Sequence, residues 1–364
     1  MTKSRKGDSS SNRADRNRLD ASQNRIPASA GADPYPSVSV VVPTTGRASL
    51  SRAIESALRQ TAVEVEVIVV MNGVGSLPSM PIDSRVSVIT NRPGSGANQA
   101  RNTGICASSA EYVALLDDDD YWHPDKLRKQ FDFARLLGLG EELFVVGCRV
   151  SGTSFDCLSD VRPKVAPPSP LDDIESYLFL REGLRSNLPQ LQSSTLLFPR
   201  AVAMRTGFDS QLTIHQDWQW LLQVVRSSAV PVLLHPEVLA VCEKNMAGTM
   251  TSRSKWTDSL RWADEFLGEP SPTYCDFVLG VPLRFALRSG SVVGVASCIK
   301  RGFRVRRASP AAMMYATALS LKFFADRTVS LTSGSARAAK RFAKRRSGPL
   351  RRMVSTERGL KCDG

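Results

Sequence analysis

Three observations predict an α/β fold built on a mostly parallel sheet with helices on its faces. Strand-like and helix-like runs alternate at short intervals from residue 38 to about residue 150. The strand-like runs are almost wholly apolar, as strands buried on both faces are. The polar residues that stand out fall just beyond the carboxyl ends of those strands, where sheets of this kind bind ligands.

Val38 to Val42 is β-branched, stops at Pro43, and reads as the first buried strand. A loop with Gly46 follows. Leu50, Ala53, Ile54, Ala57 and Leu58 then recur at helical spacing and form one apolar face. Val65 to Val70 and Val86 to Ile89 read as the second and third strands. Gly96 to Ala107 reads as a helix of small residues, and Tyr112 to Leu116 as a fourth strand running into four aspartates. Lys126 to Leu137 is a predicted helix and Leu143 to Val150 a further strand.

Beyond a proline-rich link at Pro163 to Pro170 the pattern loosens. Helices are expected at Leu171 to Leu180 and Gln216 to Val225, and strands at Thr195 to Phe198 and Val230 to Leu234. From about Leu260 the chain reads as helical and basic. The organisation expected is a disordered segment over 1–36, two halves of one domain over 37–150 and 151–262, and a helical basic extension over 263–364.

Composition narrows the class. Hydrophobic residues make up 42% and charged residues 23%, ordinary values for a globular protein. The seven cysteines form no C-x-x-C pair, which suits a reducing compartment and offers neither a disulfide framework nor a zinc site. The first 25 residues lack an apolar core of the signal-peptide type. The apolar run at Pro310 to Ala325 is short of the ~20 residues that span a bilayer and contains Lys322, so no transmembrane helix is expected. The net charge of +13 is uneven. Gly280 to Gly364 carries 19 Lys/Arg against 3 Asp/Glu, and the middle of the chain is net acidic. A basic tail of this kind suits an anionic surface. Nucleic acid is disfavoured, because few aromatics interleave the basic residues.

Three segments carry chemistry. Asp117, Asp118, Asp119 and Asp120 are adjacent carboxylates after a buried strand. They repel one another unless a cation sits among them. Mg²⁺ or Mn²⁺ typically takes one or two carboxylates and completes its shell with water and phosphate oxygens. The second segment runs from Gly94 to Gly104. A helix starting among small residues favours an anion, and Arg101 has the fork to hold a phosphate or a base carbonyl. In the third, Asp217 stands at an expected helix start beside Trp218 and Trp220. Two readings are open for it, a helix cap or a general base tuned by its surroundings.

Taken in order, these segments resemble glycosyltransferase family 2, over about Ser37 to Cys242. PSVSVVVPTTGR is similar to the family's opening strand and loop, and GANQARNTGI to its G-x-x-x-A-R-N-x-G segment. YVALLDDDDYWHPDKL resembles the D-x-D signature. SSTLLFPR, TGFDSQL and HQDWQWLL resemble the strand, the G-F-D turn and the E-D-W segment of the acceptor half. The resemblance implies a GT-A fold, an inverting transfer from a nucleotide-diphosphate sugar to an acceptor hydroxyl, and a divalent Mn²⁺ or Mg²⁺. It places Asp117 and Asp119 at the metal and Asp217 as the catalytic base. It places Pro43, Thr44, Arg47, Asn72, Arg101, Asp117 and Asp118 at the nucleotide sugar.

Two departures stand out. Met71-Asn72 replaces the Asp-Asp of many relatives, and Gln216 replaces the Glu before the base. The Q-x-x-R-W segment of processive members has only an imperfect echo in Asp258 to Trp262, so a non-processive enzyme is expected. The acceptor class implied is a cell-envelope or lipid-linked glycan, with the enzyme cytoplasmic or peripheral on the inner face of the membrane through its basic tail. The alternatives are a degenerate non-catalytic binding protein and a nucleotidyltransferase. TTGRAS has one Gly and no Lys, which tells against the second.

Overall fold

A computed structural model describes residues 35–139, 143–157, 160–164, 169–171, 173–181, 183, 191–242, 255–268, 271–303, 308–323 and 325. The N-terminal segment 1–34 and the basic stretch 326–364 lie outside the described residues, as do Arg304, Arg306 and Arg307.

Eight strands form one sheet in the order β3-β2-β1-β4-β7-β6-β8-β5. The strands are β1 Val38–Thr44, β2 Val65–Met71, β3 Val86–Thr90, β4 Tyr112–Leu115, β5 Asp120–Trp122, β6 Val145–Ser151, β7 Leu197–Pro199 and β8 Val232–Cys242. β1 pairs in parallel with β2 and with β4, and β2 pairs in parallel with β3. β7 is antiparallel to both β4 and β6, so β6 runs in the direction of β4. β8 is parallel to β6, and the short β5 closes the edge against it in the antiparallel sense.

The alternating side chains of β1 divide the core into two layers. Val40 and Val42 face α1 Leu50–Leu58 and α3 Lys126–Leu136, alongside Leu50, Ile54, Leu127 and Phe131. Val41 faces α2 Ala97–Ala107, which lies close: a Cβ on Gly104 would stand 2.3 Å from Val41 Cγ1. The expected α1 face holds, with Leu50, Ala53, Ile54 and Ala57 buried.

The remaining helices are α4 Ile174–Phe179, α5 Arg200–Arg205, α6 Gln216–Ser228, α7 Lys255–Trp262, α8 Pro272–Gly280, α9 Pro282–Arg288, α10 Val292–Phe303 and a further helix, α11, over 310–323. The later helices belong to the core. Phe277, Leu279, Leu283, Ala286, Val295, Cys298, Ala312 and Ala316 join one cluster with Val41, Phe179 and Trp220. The stretch after 262 is thus continuous with the sheet domain as far as residue 316. No helix among the described residues is long and apolar enough to cross a membrane.

Several boundaries differ from the sequence reading. Ser193–Thr195 forms a 3-10 turn before β7, where a strand was expected from Thr195. The four-aspartate run is broken by structure, since Asp120 opens β5. β8 extends to Cys242, well past Leu234, because its later residues pair with β5.

Candidate active site

β1 leads through α1 to β2 on one side, while β4 lies on its other side. The carboxyl ends of β1 and β4 therefore flank the switch point of the sheet, the usual place for a ligand crevice. Thr44 ends β1 and Asp118 lies just past β4. The Thr44 hydroxyl donates to Asp118 Oδ2 across the crevice at 2.5 Å, and accepts from the Gly46 amide at 2.9 Å. Gly46 has φ +90°, a conformation that favours glycine. The loop thereby turns Arg47 back over the carboxylates. Arg47 Nη1 donates to Asp119 Oδ2 at 2.6 Å and to Asp118 Oδ1 at 3.2 Å, and its side chain is half exposed. Pro43 is buried in β1 opposite Val70. Asn72, just past β2, accepts from Ser95 Oγ at 2.7 Å, so its amide faces the loop that leads into α2.

Deeper in the crevice one guanidinium joins the two groups of carboxylates. Arg101 Nη2 donates to Asp117 Oδ1 and to Ser193 Oγ, both at 2.9 Å. Its Nη1 donates to Asn98 Oδ1 and Gln216 Oε1, both at 3.1 Å, and lies 4.0 Å from Asp217 Oδ1. The Arg101 side chain is 5% exposed. Sequence reasoning pictured it forking onto a ligand, whereas here both terminal nitrogens are given to protein acceptors.

Asp217 sits in the first turn of α6 but does not cap that helix. The N-cap is His215, in the left-handed region at φ 58°, and it makes no side-chain cap bond. Asp217 Oδ2 accepts from the Ser193 amide at 3.2 Å, while Oδ1 is sealed from solvent with no hydrogen-bond partner. The side chain as a whole remains a quarter exposed, so the carboxyl reaches the crevice from a desolvated seat. That desolvation is the main cause raising its pKa above 3.8, opposed by Arg101 and reinforced by Asp117. Burial likewise raises Asp118, against the pull of Thr44 and Arg47. Asp120 is pushed up to about 8, by burial first and then by Asp117. Arg101 is held above its ordinary range, because Asp117 and Asp217 outweigh the burial that would lower it.

The structure thus brings together Thr44, Arg47, Asp117, Asp118 and Asp119, and links them through Arg101 to Asp217. Asn72 and Pro43 lie along the same edge. Sequence reasoning did not single out Ser193 and Ser194. Ser193 contacts Asp117, Arg101 and Asp217, and Ser194 Oγ accepts from the Asp117 amide at 3.0 Å. Their only signal was the Ser-Ser pair before an apolar strand.

Known proteins share part of this chain. Residues 39–140 match the model described as Glycosyl transferase family 2. That stretch of the chain is similar to glycosyltransferase family 2. It is 33% identical over 120 residues to the amylovoran biosynthesis glycosyltransferase AmsB of Erwinia amylovora, covering 33% of this chain and 38% of that protein. It is 39% identical over 111 residues to the succinoglycan biosynthesis protein ExoO of Rhizobium meliloti, covering 29% and 32%. It is 33% identical over 98 residues to the UDP-Glc:alpha-D-GlcNAc-diphosphoundecaprenol beta-1,3-glucosyltransferase WfgD of Escherichia coli, covering 26% and 39%. The matched regions span between a third and two fifths of these relatives' lengths. The crystal structure of Staphylococcus aureus TarS 1-349 superposes with a TM-score of 0.47 at 16% identity, over 82% of this chain and 92% of that one.

The divalent cation that this family implies can be tested against the donors present. Asp117 and Asp119 are both carboxylates at the crevice, with side chains 35% and 20% exposed. Asp118 is turned inward and tied to Thr44. Among the described residues no three His, Cys, Asp or Glu side chains converge as a metal cage. This set fits a hard cation that takes one or two carboxylates and fills its shell with water and phosphate, and it does not fit an ion needing an all-protein cage. The Arg47 guanidinium on Asp119 marks a place where positive charge is favoured.

Proposed function

We propose that the chain is an inverting, non-processive glycosyltransferase that moves a sugar from a nucleotide-diphosphate sugar to an acceptor hydroxyl. The observation that carries this is the arrangement around Arg101, which ties a crevice carboxylate at the switch point to a desolvated carboxylate on the facing helix. In this reading residues 37–150 form the donor half and 151–262 the acceptor half. Pro43, Thr44, Arg47 and Asn72 line the nucleotide edge, while Arg101 and Asp118 shape it from beneath. Asp117 and Asp119 hold Mn²⁺ or Mg²⁺, which supplies positive charge against a departing diphosphate.

Asp217 acts as general base. It takes the proton of the acceptor hydroxyl as that oxygen bonds to the anomeric carbon, and the bonding pair to the diphosphate leaves on the opposite face. Its raised pKa suits the role, since an ordinary carboxylate is too weak a base for a hydroxyl proton. Arg101 keeps Asp217 ionised before the acceptor arrives, and the Ser193 amide holds the carboxylate through Oδ2.

The relatives named for amylovoran and succinoglycan biosynthesis, and one named for a diphosphoundecaprenol-linked acceptor, support an envelope or lipid-linked glycan as acceptor. The basic residues Lys340, Arg341, Lys344, Arg345 and Arg346 lie outside the described residues and form the proposed contact with an anionic membrane surface. The test is turnover of a panel of UDP-, GDP- and dTDP-sugars with Mn²⁺, using lipid extract as acceptor. One donor should be consumed, with transfer lost in Asp217→Asn. If no nucleotide sugar is turned over or bound by the metal-loaded protein, the reading fails; binding without turnover makes the chain a degenerate binding protein.

A further inference from the structure

The junction of α8 and α9 carries guanidinium groups that the donor site does not use. α8 ends at Gly280 and α9 begins at Pro282. The Phe285 amide donates to Val281 O across the junction, so the helical path is nearly continuous. Gly280, Arg284 and Arg288 follow one another at four-residue spacing and share one stripe. Arg181 crosses the head of that stripe, where a Cβ on Gly280 would lie 3.4 Å from Arg181 Nη1. The Arg181 guanidinium carbon stands 3.6 Å from the centroid of the Tyr315 ring, and both residues are buried.

Among the described residues, the nearby acids Asp276 and Asp160 are already engaged. Asp276 accepts from the Arg181 and Ser309 amides at 3.0 and 2.7 Å. Asp160 pairs with Arg162 at 3.2 Å. Among the described residues neither Arg284 nor Arg288 has a carboxylate partner. Arg284 is held below the ordinary arginine range, by its burial first and also by Arg288 and Arg162, with Tyr315 opposing. Arg284 is half-buried and Arg288 exposed, and like charges gathered where solvent reaches only in part cost stability unless an anion joins them. Guanidinium forks match the oxygens of a phosphate two at a time.

Arg162 bridges to Val150 near the carboxyl end of β6, which runs parallel to β4 and so ends on the sheet edge that holds Asp117. Phe179, two residues before Arg181, packs edge-on against Trp218, the neighbour of Asp217.

We propose that Arg181, Arg284 and Arg288 form an anion site that takes a phosphate or diphosphate group on the base side of the crevice. That the group belongs to the molecule receiving the sugar rests on the proposed function, whereas binding of phosphate does not. The probe is inorganic pyrophosphate, titrated calorimetrically into the full chain in EDTA at low salt. Binding is expected, weakened by added salt, and at least about tenfold weaker in the Arg284→Gln/Arg288→Gln variant. The Arg284→Lys/Arg288→Lys variant keeps both charges and should stay within about fivefold of wild type. It is the variant to read if the glutamine form does not fold.

Two further arms separate the sources of the group. Farnesyl diphosphate outcompeting pyrophosphate assigns the site to a prenyl diphosphate. Capture by phosphatidylglycerol vesicles, lost in the glutamine variant, assigns it to a phospholipid headgroup. Absence of pyrophosphate binding to the wild type, or equal affinity in wild type and glutamine variant, overturns the proposal. Nucleoside diphosphate binding with Mn²⁺ is measured on the same wild-type sample, and its failure counts against the proposed function alone.

Discussion

Replacing Arg101 by Met probes the centre of the site. The change removes four hydrogen bonds, to Asn98, Gln216, Asp117 and Ser193, and strands Asp217 Oδ1 without its cation. Breaking a buried charge pair by deleting one partner costs about 3–5 kcal/mol. Asp117 is a third exposed, so its share is screened and the lower half of that range, about 3–4 kcal/mol, is expected. For a domain of this size that lowers Tm by roughly 6–15 °C. The pH dependence follows from the direction of the Asp217 shift. Its native pKa lies above the ordinary 3.8, so the stability it contributes is present below that value and is lost as pH rises through the native one. Without Arg101 the native pKa climbs further, and the loss at neutral pH grows. Urea unfolding of wild type and Arg101→Met at pH 7.5 and 4.5 measures this, with the deficit expected to shrink by more than about 1 kcal/mol at the lower pH. A deficit under about 1 kcal/mol at pH 7.5, or one equal at both pH values, refutes the reasoning.

Asp217→Asn should cut turnover by roughly 10²–10⁴ while leaving the melting temperature in place, since it neutralises a carboxyl with one unpartnered buried oxygen. Unfolding instead would make Asp217 structural. Gln216→Glu places a carboxylate on Arg101 Nη1 and near Asp217. The added negative charge should move the acidic limb of the kcat/KM profile to higher pH, and a downward shift would contradict the assigned electrostatics. Gly104→Ala drives a methyl into Val41 at 2.3 Å and should destabilise by about 1–3 kcal/mol in chemical denaturation. Full-length protein should sediment with anionic vesicles in a salt-sensitive way, and a chain ending at residue 325 should not. Equal binding by both would leave the tail without a membrane role.

The parallel half of the fold was legible because β1, β2 and β4 are apolar on both faces and their helices carry a clear period. β5 was not, because Asp120–Trp122 is three residues long and starts in an acidic run, and its strand character comes only from pairing with β8. Thr195, the last residue of the 3-10 turn, was read as the start of a strand because it is small and buried, which either state allows. In the site, the aspartates and Arg101 stood out by residue type, but their partnership did not. Arg101 and Gln216 are 115 positions apart, and Ser193 meets Asp117 across 76. Local sequence also left Asp217 between cap and base, and it could not show that the carboxylate engages the distant Ser193 amide instead of capping its own helix. The later helices were read only as a helical basic extension, and the burial of Leu279, Leu283 and Cys298 in the shared core depends on neighbours far along the chain.

The central claim is that the crevice between β1 and β4 holds the diphosphate of a nucleotide sugar through Asp117 and Asp119. Calorimetric titration of UDP, GDP, ADP, CDP and dTDP into the full-length protein, with Mn²⁺ and with EDTA, tests it most directly. One nucleotide is expected to bind at a single site with Mn²⁺ and more weakly in EDTA, and Asp119→Ala is expected to remove the metal dependence while the protein stays folded. Metal-dependent binding that survives unchanged in both Asp117→Ala and Asp119→Ala would contradict it.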